Sequence, residues 1–524
     1  MEPACASGGQ RATGRGAAGF GLLAVVLWSS LLLNAFLLAH HPFLSPSRLL
    51  GSGSDGGSSC GLSWTLQAAR EAEAVAATDC SGHGQVFLDG IAGEDGRPGC
   101  ECNACFAGPD CSLRIPKCTA DADRLVSDRM LALALADIRQ NCRQVIVLGG
   151  KYRSVGHGTR IACSPYWRRH AAASAVVFSG WHRMSYVTTE SFSFQSVELE
   201  RQIRLLHRAV GNAVVDDKHV VFAAGSIQLI NALVHALSPD ANAASPPARV
   251  VANAPYYQAY RVQTTMFDGR EYRWGGATAQ WTNASRNSTT DEGGFIEFVT
   301  SPNNPDTMLR KPALGGSSAV IFDHAYYWPH FTHIPSPADE DVMLFTMSKP
   351  SGHAGSRFGY KVAKRALDYV SDSIMGASRD TQLRMLGIVK AMLANLHGKD
   401  DIFAFGHDVM RTRWRKLNAV VSRSRLISLQ KIPPHQYCTY FKRFREPSPA
   451  YAWVKCEGEE DEDCHGALLK ANIITRTGVF FEAGSRYTRI SLLKSDDDFD
   501  VLMERVTDLV NAEKYEDAPG SSAM

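Results

Sequence analysis

The chain of 524 residues has almost no excess of either charge: 55 Lys and Arg face 53 Asp and Glu, a formal net charge of +2. Proteins that hold polyanions by bulk electrostatics need a basic surplus, so that class is excluded and no nucleic-acid partner is expected. Global disorder is excluded as well, because 45% of the residues are apolar and only 21% are charged. A nucleotide-binding P-loop is missing: Gly149-Gly150-Lys151 lacks the rest of the pattern. Cysteine is sparse over most of the length, yet seven of the 13 fall between Cys60 and Cys118. That density belongs to a disulfide-stapled module in an oxidising compartment. The length allows either three to four domains of about 150 residues or one large α/β enzyme body beside smaller pieces.

The amino terminus supplies the compartment. Ala18 to Ala39 are 22 consecutive uncharged residues preceded by Arg11 and Arg15, long enough to cross a bilayer as a helix. We read 1–17 as a short cytosolic tail, 18–39 as a signal anchor and 40–62 as a linker, Gly/Ser-rich from Gly51 to Cys60. Two alternatives stay open: a signal peptide cut near the small residues Ala35 and Ala39, and a buried helix. On either secretory reading the bulk of the protein enters a lumen, endoplasmic reticulum or vacuole. Asn283-Ala-Ser and Asn287-Ser-Thr are glycosylation tripeptides in a polar stretch, consistent with that exposure.

Cys80, Cys100, Cys102, Cys105, Cys111 and Cys118 follow with a turn at Gly108-Pro109-Asp110 before the fifth. Six cysteines allow fifteen pairings. A zinc site is the competing reading, but only Cys102 and Cys105 make the two-residue knuckle such sites favour. Cys456 and Cys464, flanking an acidic run, make a fourth candidate bridge. No metal is expected.

Beyond the cysteines, short β-branched runs alternate with helical stretches, the signature of an α/β fold with a mainly parallel sheet. Strands are predicted at 220–222, 249–252, 295–300, 319–322 and 342–345. The first runs into Gly225-Ser226-Ile227-Gln228 and an apolar-periodic helix, a turn that can cradle phosphate on free backbone N–H groups. The others end at Tyr256 and Tyr257, at Asn303 and Asn304, at Asp323 and Tyr326, and at Thr346, Ser348 and Lys349, with Arg357 close behind. Ligand sites in such sheets collect at the carboxyl ends of the strands. Taken singly, each has a structural explanation: a tyrosine pair packs, Asn before Pro turns, Asp caps a helix. Taken together they supply a carboxylate, hydrogen-bond donors, a primary amine and a cation, the set a phosphorylated pyridine aldehyde requires.

The strings S-P-N-N-P-D at 301–306, D-H-A-Y-Y-W-P-H-F at 323–331 and T-M-S-K-x-x-G-H-x-G-S-R-F-G at 346–359 resemble the alliinase/tryptophan aminotransferase-related family of plants, within the fold type I pyridoxal-phosphate enzymes. The cysteine segment resembles the EGF-like module found in front of the catalytic domain in that family. The resemblance implies an EGF-like module at 63–118, paired Cys80–Cys100, Cys102–Cys111 and Cys105–Cys118. It further implies a catalytic domain at 119–515, with a large domain at about 195–365 built on a seven-stranded-type sheet and a smaller α/β domain from the remainder. Pyridoxal 5'-phosphate is the implied cofactor. Lys349 would hold it and shuttle the Cα proton, and Asp323 would keep its ring nitrogen protonated. Asn304 and Tyr326 would bond its O3′, Tyr257 would stack on its ring, and Gly225, Ser226, Ile227, Gln228, Thr346 and Arg357 would bind its phosphate. Arg489 in S-R-Y-T-R-I-S-L matches the arginine that pairs with the substrate carboxylate, with Arg486 as competitor. Tyr186 in W-H-R-M-S-Y matches a tyrosine reaching the neighbouring subunit's site, which implies a homodimer.

Two stretches depart from the family pattern. Residues 129–163 read as an atypical insertion, and the run from Tyr360 to Arg365 is shorter than the corresponding strand and turn. The first functional expectation is an aminotransferase taking an amino acid and a keto-acid acceptor, as in conversion of tryptophan to indole-3-pyruvate for auxin. The alternative is a carbon–sulfur lyase cleaving S-alkyl-cysteine sulfoxides. The third, a membrane-tethered binding protein with a dead enzyme fold, predicts loss of the lysine, and Lys349 is present.

Overall fold

The cysteine module opens the folded chain because its bridges replace a hydrophobic core too small to form. The computed structural model describes residues 78–87, 99–124, 162–178, 194–239, 246–282, 294–315, 318–362, 366–458 and 462–516, with isolated positions at 66, 68 and 70. Strands β1 (Gly84–Phe87) and β2 (Gly99–Cys102) form an antiparallel hairpin, followed by the small pair β3 (Phe106–Ala107) and β4 (Leu113–Arg114). Disulfides join Cys80 to Cys100, Cys102 to Cys111 and Cys105 to Cys118. The sulfurs of Cys80, Cys100 and Cys111 lie within 4.8 Å of one another, but each is consumed in a bridge and cannot serve as the thiolate that zinc needs. The chain then leaves the module as β5 (Ala120–Asp121).

Helix α1 (Val197–Val210) shows how the sequence encodes the scaffold. Ser196 caps it by accepting from Leu199 N at 3.2 Å, and Glu198 and Glu200 lie at the positive end of its dipole. Leu199, Ile203, Leu206 and Val210 recur on one face and are buried, each worth about 1.5–3 kcal/mol of apolar burial. Gly211, at φ 68°, ends the helix in a left-handed turn.

The large sheet is built from β6 (Val220–Ala223), helix α2 (Ser226–Leu237), β7 (Ala248–Ala252), helix α3 (Ala259–Met266), β8 (Tyr272–Ala277), β9 (Phe295–Thr300), β10 (Ser318–Asp323), β11 (Met343–Thr346) and β12 (Gly359–Val362). Its order is β6-β12-β11-β10-β9-β7-β8. The pairs among β7 to β11 are parallel, while β12 runs antiparallel to both neighbours. Sequence reading found five of these strands; β8, broken by Gly275-Gly276, and the four-residue β12 escaped it. Both sheet faces are covered: Val220 and Phe222 of β6 join one apolar cluster, Val221 and Ala223 the other. That is why the strands read as continuous apolar runs rather than alternating ones.

The carboxyl-terminal part comprises helices α4 (Arg379–Asn395) and α5 (Ile402–Val421), then strands β13 (Ile427–Leu429), β14 (Gln436–Cys438), β15 (Arg443–Arg445) and β16 (Tyr451–Cys456). It continues with helix α6 (Cys464–Lys470), strands β17 (Ile473–Ile474), β18 (Arg476–Thr477) and β19 (Tyr487–Ser491), and helix α7 (Asp496–Glu516). The antiparallel sheet β13-β16-β19-β18 carries its site residues, and a Cys456–Cys464 disulfide ties the end of β16 to the start of α6.

The module is fastened to this part. His83 and Asn103 both reach Asp497 at the start of α7, at 3.1 and 2.7 Å, and β5 pairs in parallel with β17. No helix among the described residues is long and apolar enough to span a membrane. The 18–39 run, Tyr186, Asn283, Asn287 and the 129–161 part of the insertion lie outside the described residues.

Candidate active site

Strand ends create the first wall. After β6 the chain must turn sharply into α2, and Gly225 permits it at φ 83°, a conformation that penalises side chains. A Cβ there would also collide with Arg357 Nη2, and one on Gly359 would meet Ser226 N at 2.5 Å. These two glycines therefore let the Arg357 guanidinium and strand β12 close on the amino terminus of α2, whose first N–H groups have no side-chain cap.

Ser226 and Ile227 of that turn, Tyr257, Asn304, Asp323, Tyr326, Thr346, Lys349, Arg357 and Arg489 line one cavity of about 400 Å³. Gln228 does not line it: its side-chain oxygen folds back to accept from Ala224 N at 3.0 Å, satisfying a donor at the end of β6. Thr346 braces the lysine loop, accepting from Ser348 N at 3.1 Å. Asn303, beside Asn304, turns away to donate to Pro255 O at 3.0 Å and Asp306 Oδ1 at 2.9 Å. Arg486 points out of the site and donates to Gly458 O at 2.6 Å, so of the two arginines only Arg489 faces the cavity.

Lys349 Nζ lies 5.3 Å from the Tyr326 ring centroid and, among the described residues, makes no hydrogen bond or ion pair. Asp323 is buried at the end of β10, where Tyr260 donates to Oδ2 at 2.7 Å and Ala325 N to Oδ1 at 3.0 Å. Burial pushes its carboxyl above the usual range, although both hydrogen bonds and the Lys349 charge oppose that. Burial, and then the Asp323 charge, push the Tyr257 phenol up to about 12.

The second wall comes from the carboxyl-terminal sheet. Tyr326 and Tyr451 hydroxyls are 2.6 Å apart. Burial raises Tyr326 well above its ordinary value. Burial also opposes ionisation of Tyr451, yet the Lys349 and Arg489 charges with the Tyr326 hydrogen bond hold that phenol below the usual value. Arg489 donates from Nη1 to Asn304 Oδ1 at 2.5 Å and packs over Tyr451 at 3.9 Å. It also forks onto Asp123, with Nε to Oδ2 at 2.6 Å and Nη2 to Oδ1 at 3.2 Å. Arg476 Nη2 lies 3.2 Å from the same Asp123 oxygen.

Sequence reasoning missed Tyr260, Asp123, Tyr451 and Arg476. Tyr260 had a signal, since it follows Tyr257 by three residues on an amphipathic helix whose inner face meets β9 and β10. Asp123 and Arg476 had none, because the strands that deliver them are two residues long, and Tyr451 had none because it opens a strand in a separate sheet far along the chain.

Residues 154–510 match the alliinase carboxyl-terminal family model (Allinase), and residues 63–118 match the alliinase EGF-like domain. An alliin lyase of Allium cepa is 44% identical over 465 residues, covering 86% of this chain and 89% of that protein. Tryptophan aminotransferase-related protein 4 of Arabidopsis thaliana is 41% identical over 469 residues, covering 88% and 92%. Among solved structures, the aspartate aminotransferase of Rhizobium meliloti aligns with a TM-score of 0.50 at 15% identity, over 74% of this chain and 96% of that one. At that identity the likeness shows the fold alone.

Proposed function

This chain belongs to the alliinase family, and on that premise we propose that it is a pyridoxal-phosphate enzyme that removes the Cα proton of an L-α-amino acid with Lys349. The observation that carries this reading is the convergence of Lys349, Asp323, Asn304 and Arg489 on one cavity that Arg357 and the first turn of α2 also line. The donor set fits the cofactor. A buried carboxylate suits a ring nitrogen, the uncapped helix terminus beside Arg357 suits a phosphate, and the Tyr257 ring suits a flat partner. When bound, the cofactor supplies an electron-withdrawing ring that takes up the electron pair left at Cα.

The chain's own residues then divide the work. Arg489, whose Nε and Nη2 fork onto Asp123 and whose Nη1 donates to Asn304, offers the substrate carboxylate its remaining Nη1 and Nη2 hydrogens. Asp323 keeps the ring nitrogen's proton in place, and its own orientation is set by Tyr260 and Ala325 N. Lys349 takes the Cα proton and can return it elsewhere. Tyr451, hydrogen-bonded to Tyr326 at 2.6 Å, lines the same cavity as Lys349 and supplies a hydroxyl there.

The fate of the substrate depends on its Cβ substituent. Identities of 43–44% to alliin lyases over 86% of the chain favour β-elimination from an S-substituted cysteine sulfoxide. Transamination of tryptophan with a keto-acid acceptor is the second reading, supported by 41–42% identity to tryptophan aminotransferase-related proteins. Purified protein should show a visible cofactor absorption band that is lost in Lys349→Ala. Release of pyruvate from S-allyl-cysteine sulfoxide establishes the lyase; indole-3-pyruvate from tryptophan plus pyruvate, without pyruvate release from the sulfoxide, establishes the aminotransferase. Absence of the band overturns both.

The same reading places the catalytic domain as a homodimer in an oxidising lumen. Four disulfides support the compartment, and the uncharged 18–39 run supports a single-pass anchor.

A further inference from the structure

Two arginines enter the carboxylate end of the cavity, and a buried aspartate already sits between them. Asp123 accepts from Arg489 Nε and Nη2 at 2.6 and 3.2 Å and lies 3.2 Å from Arg476 Nη2. Asp123, Arg476 and Arg489 all line the cavity that contains Lys349. Asp123 cannot swing away cheaply. Its own N–H and that of Ala122 both donate to Ile474 O at 3.0 Å, and Ser491 N donates to Ala122 O at 3.1 Å, so the backbone is fixed from two strands. The cations are held as firmly: Arg476 donates to Arg124 O at 3.2 Å and packs on Phe480, and Arg489 lies between Tyr451 and Phe481.

The charge balance follows from this geometry. The neighbouring Lys494 is 3.3 Å from Asp121 and is offset by it. Arg476, Arg489 and Asp123 together retain a single positive charge, which one incoming carboxylate neutralises; Arg124, which also lines the cavity, makes no ion pair with Asp123 among the described residues and stands outside this shared cluster. A second carboxylate directed at these two guanidinium groups would find them already shared with Asp123, and their attraction for it is correspondingly reduced.

We propose that Asp123 is a specificity-determining residue, a built-in carboxylate that fills the second anion seat and restricts the site to substrates carrying one carboxylate. The inference rests on Arg489 as the substrate-carboxylate seat, and it concerns amino acids and keto acids alike: pyruvate-like acceptors are taken, 2-oxoglutarate-like ones refused.

The test is calorimetric binding of two unreactive probes, succinate and butyrate, to the cofactor-loaded wild-type and Asp123→Asn proteins. Loss of the aspartate charge should raise the affinity for succinate relative to butyrate by about tenfold or more, and adding Arg476→Gln should return the ratio to the wild-type value. An unchanged ratio in folded Asp123→Asn overturns the proposal, whereas failure of the functional reading shows separately as a missing cofactor band in the wild type. If Asp123→Asn does not fold, Arg476→Gln alone decides. With Asp123 then neutralised by Arg489, butyrate binding should weaken about tenfold, and unaltered binding overturns the proposal. A merely structural role for Asp123 would shift both probes together and leave the ratio where it was.

Discussion

The two walls of the cavity are built differently. The first wall comes from residues 225–357, one strand end after another in a single, mainly parallel sheet, and its groups are held by short local devices: a glycine turn, a hydroxyl on Ser348 N, a backbone N–H on Asp323. The second wall joins Asp123, at the exit of the cysteine module, to Tyr451, Arg476 and Arg489 from the carboxyl-terminal sheet, more than 300 residues along. Its groups hold one another. The difference teaches that the first wall can lose a functional group without losing its shape, whereas in the second the binding groups are also structural.

The largest expected effect tests the first half of that contrast. Lys349→Ala should lower turnover by about 10²–10⁴-fold while leaving the urea midpoint within error, because the amine has no hydrogen bond or ion pair among the described residues. A midpoint that falls markedly would break the comparison. Arg489→Met tests the other half. It should cost about 3 kcal/mol of stability as well as substrate binding, near the lower end for an orphaned buried charge because Arg476 still faces Asp123; activity loss at unchanged stability would count against an interlocked wall.

The scaffold beneath the first wall can be probed by pH. His207 is fully buried between Asn212 and Tyr360, at 2.8 Å from each. Burial outweighs the Asn212 hydrogen bond and pushes its imidazole down to about 4. Its folded value lies below the unfolded one near 6.5, so the unfolded chain takes up the proton first. The stabilisation is present above about pH 6.5 and is lost as pH falls toward 4, by up to roughly 3 kcal/mol at one proton. In His207→Gln the slope of unfolding free energy against pH across that window should flatten, and an unaltered slope would assign it to other groups. The smallest effect concerns Tyr260→Phe, which removes the hydroxyl on Asp323. It should cost about 1 kcal/mol of stability and reduce cofactor affinity slightly, read by equilibrium dialysis, with the substrate-carboxylate side unaffected.

Legibility in the sequence followed the same division. Lys349, Asp323, Asn304 and Tyr257 were readable because each follows a predicted strand by a few residues, and parallel sheets present such positions on one edge; Arg357, farther from the strand before it, was legible through the motif it shares with Lys349. The inward fold of the Gln228 side chain was unread because its partner, Ala224 N, is a backbone donor that no side-chain pattern advertises. Strand β12 was unread because Gly-Tyr-Lys-Val, unlike the equally short Val-Val-Phe-Ala of β6, is not an apolar run. Asp123 was unread because nothing near Cys118 indicates that β5 will pair with β17, 353 positions away in register at Ile473–Ala120.

By itself, the sequence determined the α/β class, the disulfide-rich module and most of the strand-end residues that line the cavity, because periodicity, cysteine spacing and strand-end residues act over a few turns of chain. Only the tertiary structure decided that an aspartate at the module's exit sits within the fork of Arg489, because pairing between distant strands and the balance of buried charges depend on which segments meet, and no local pattern records that.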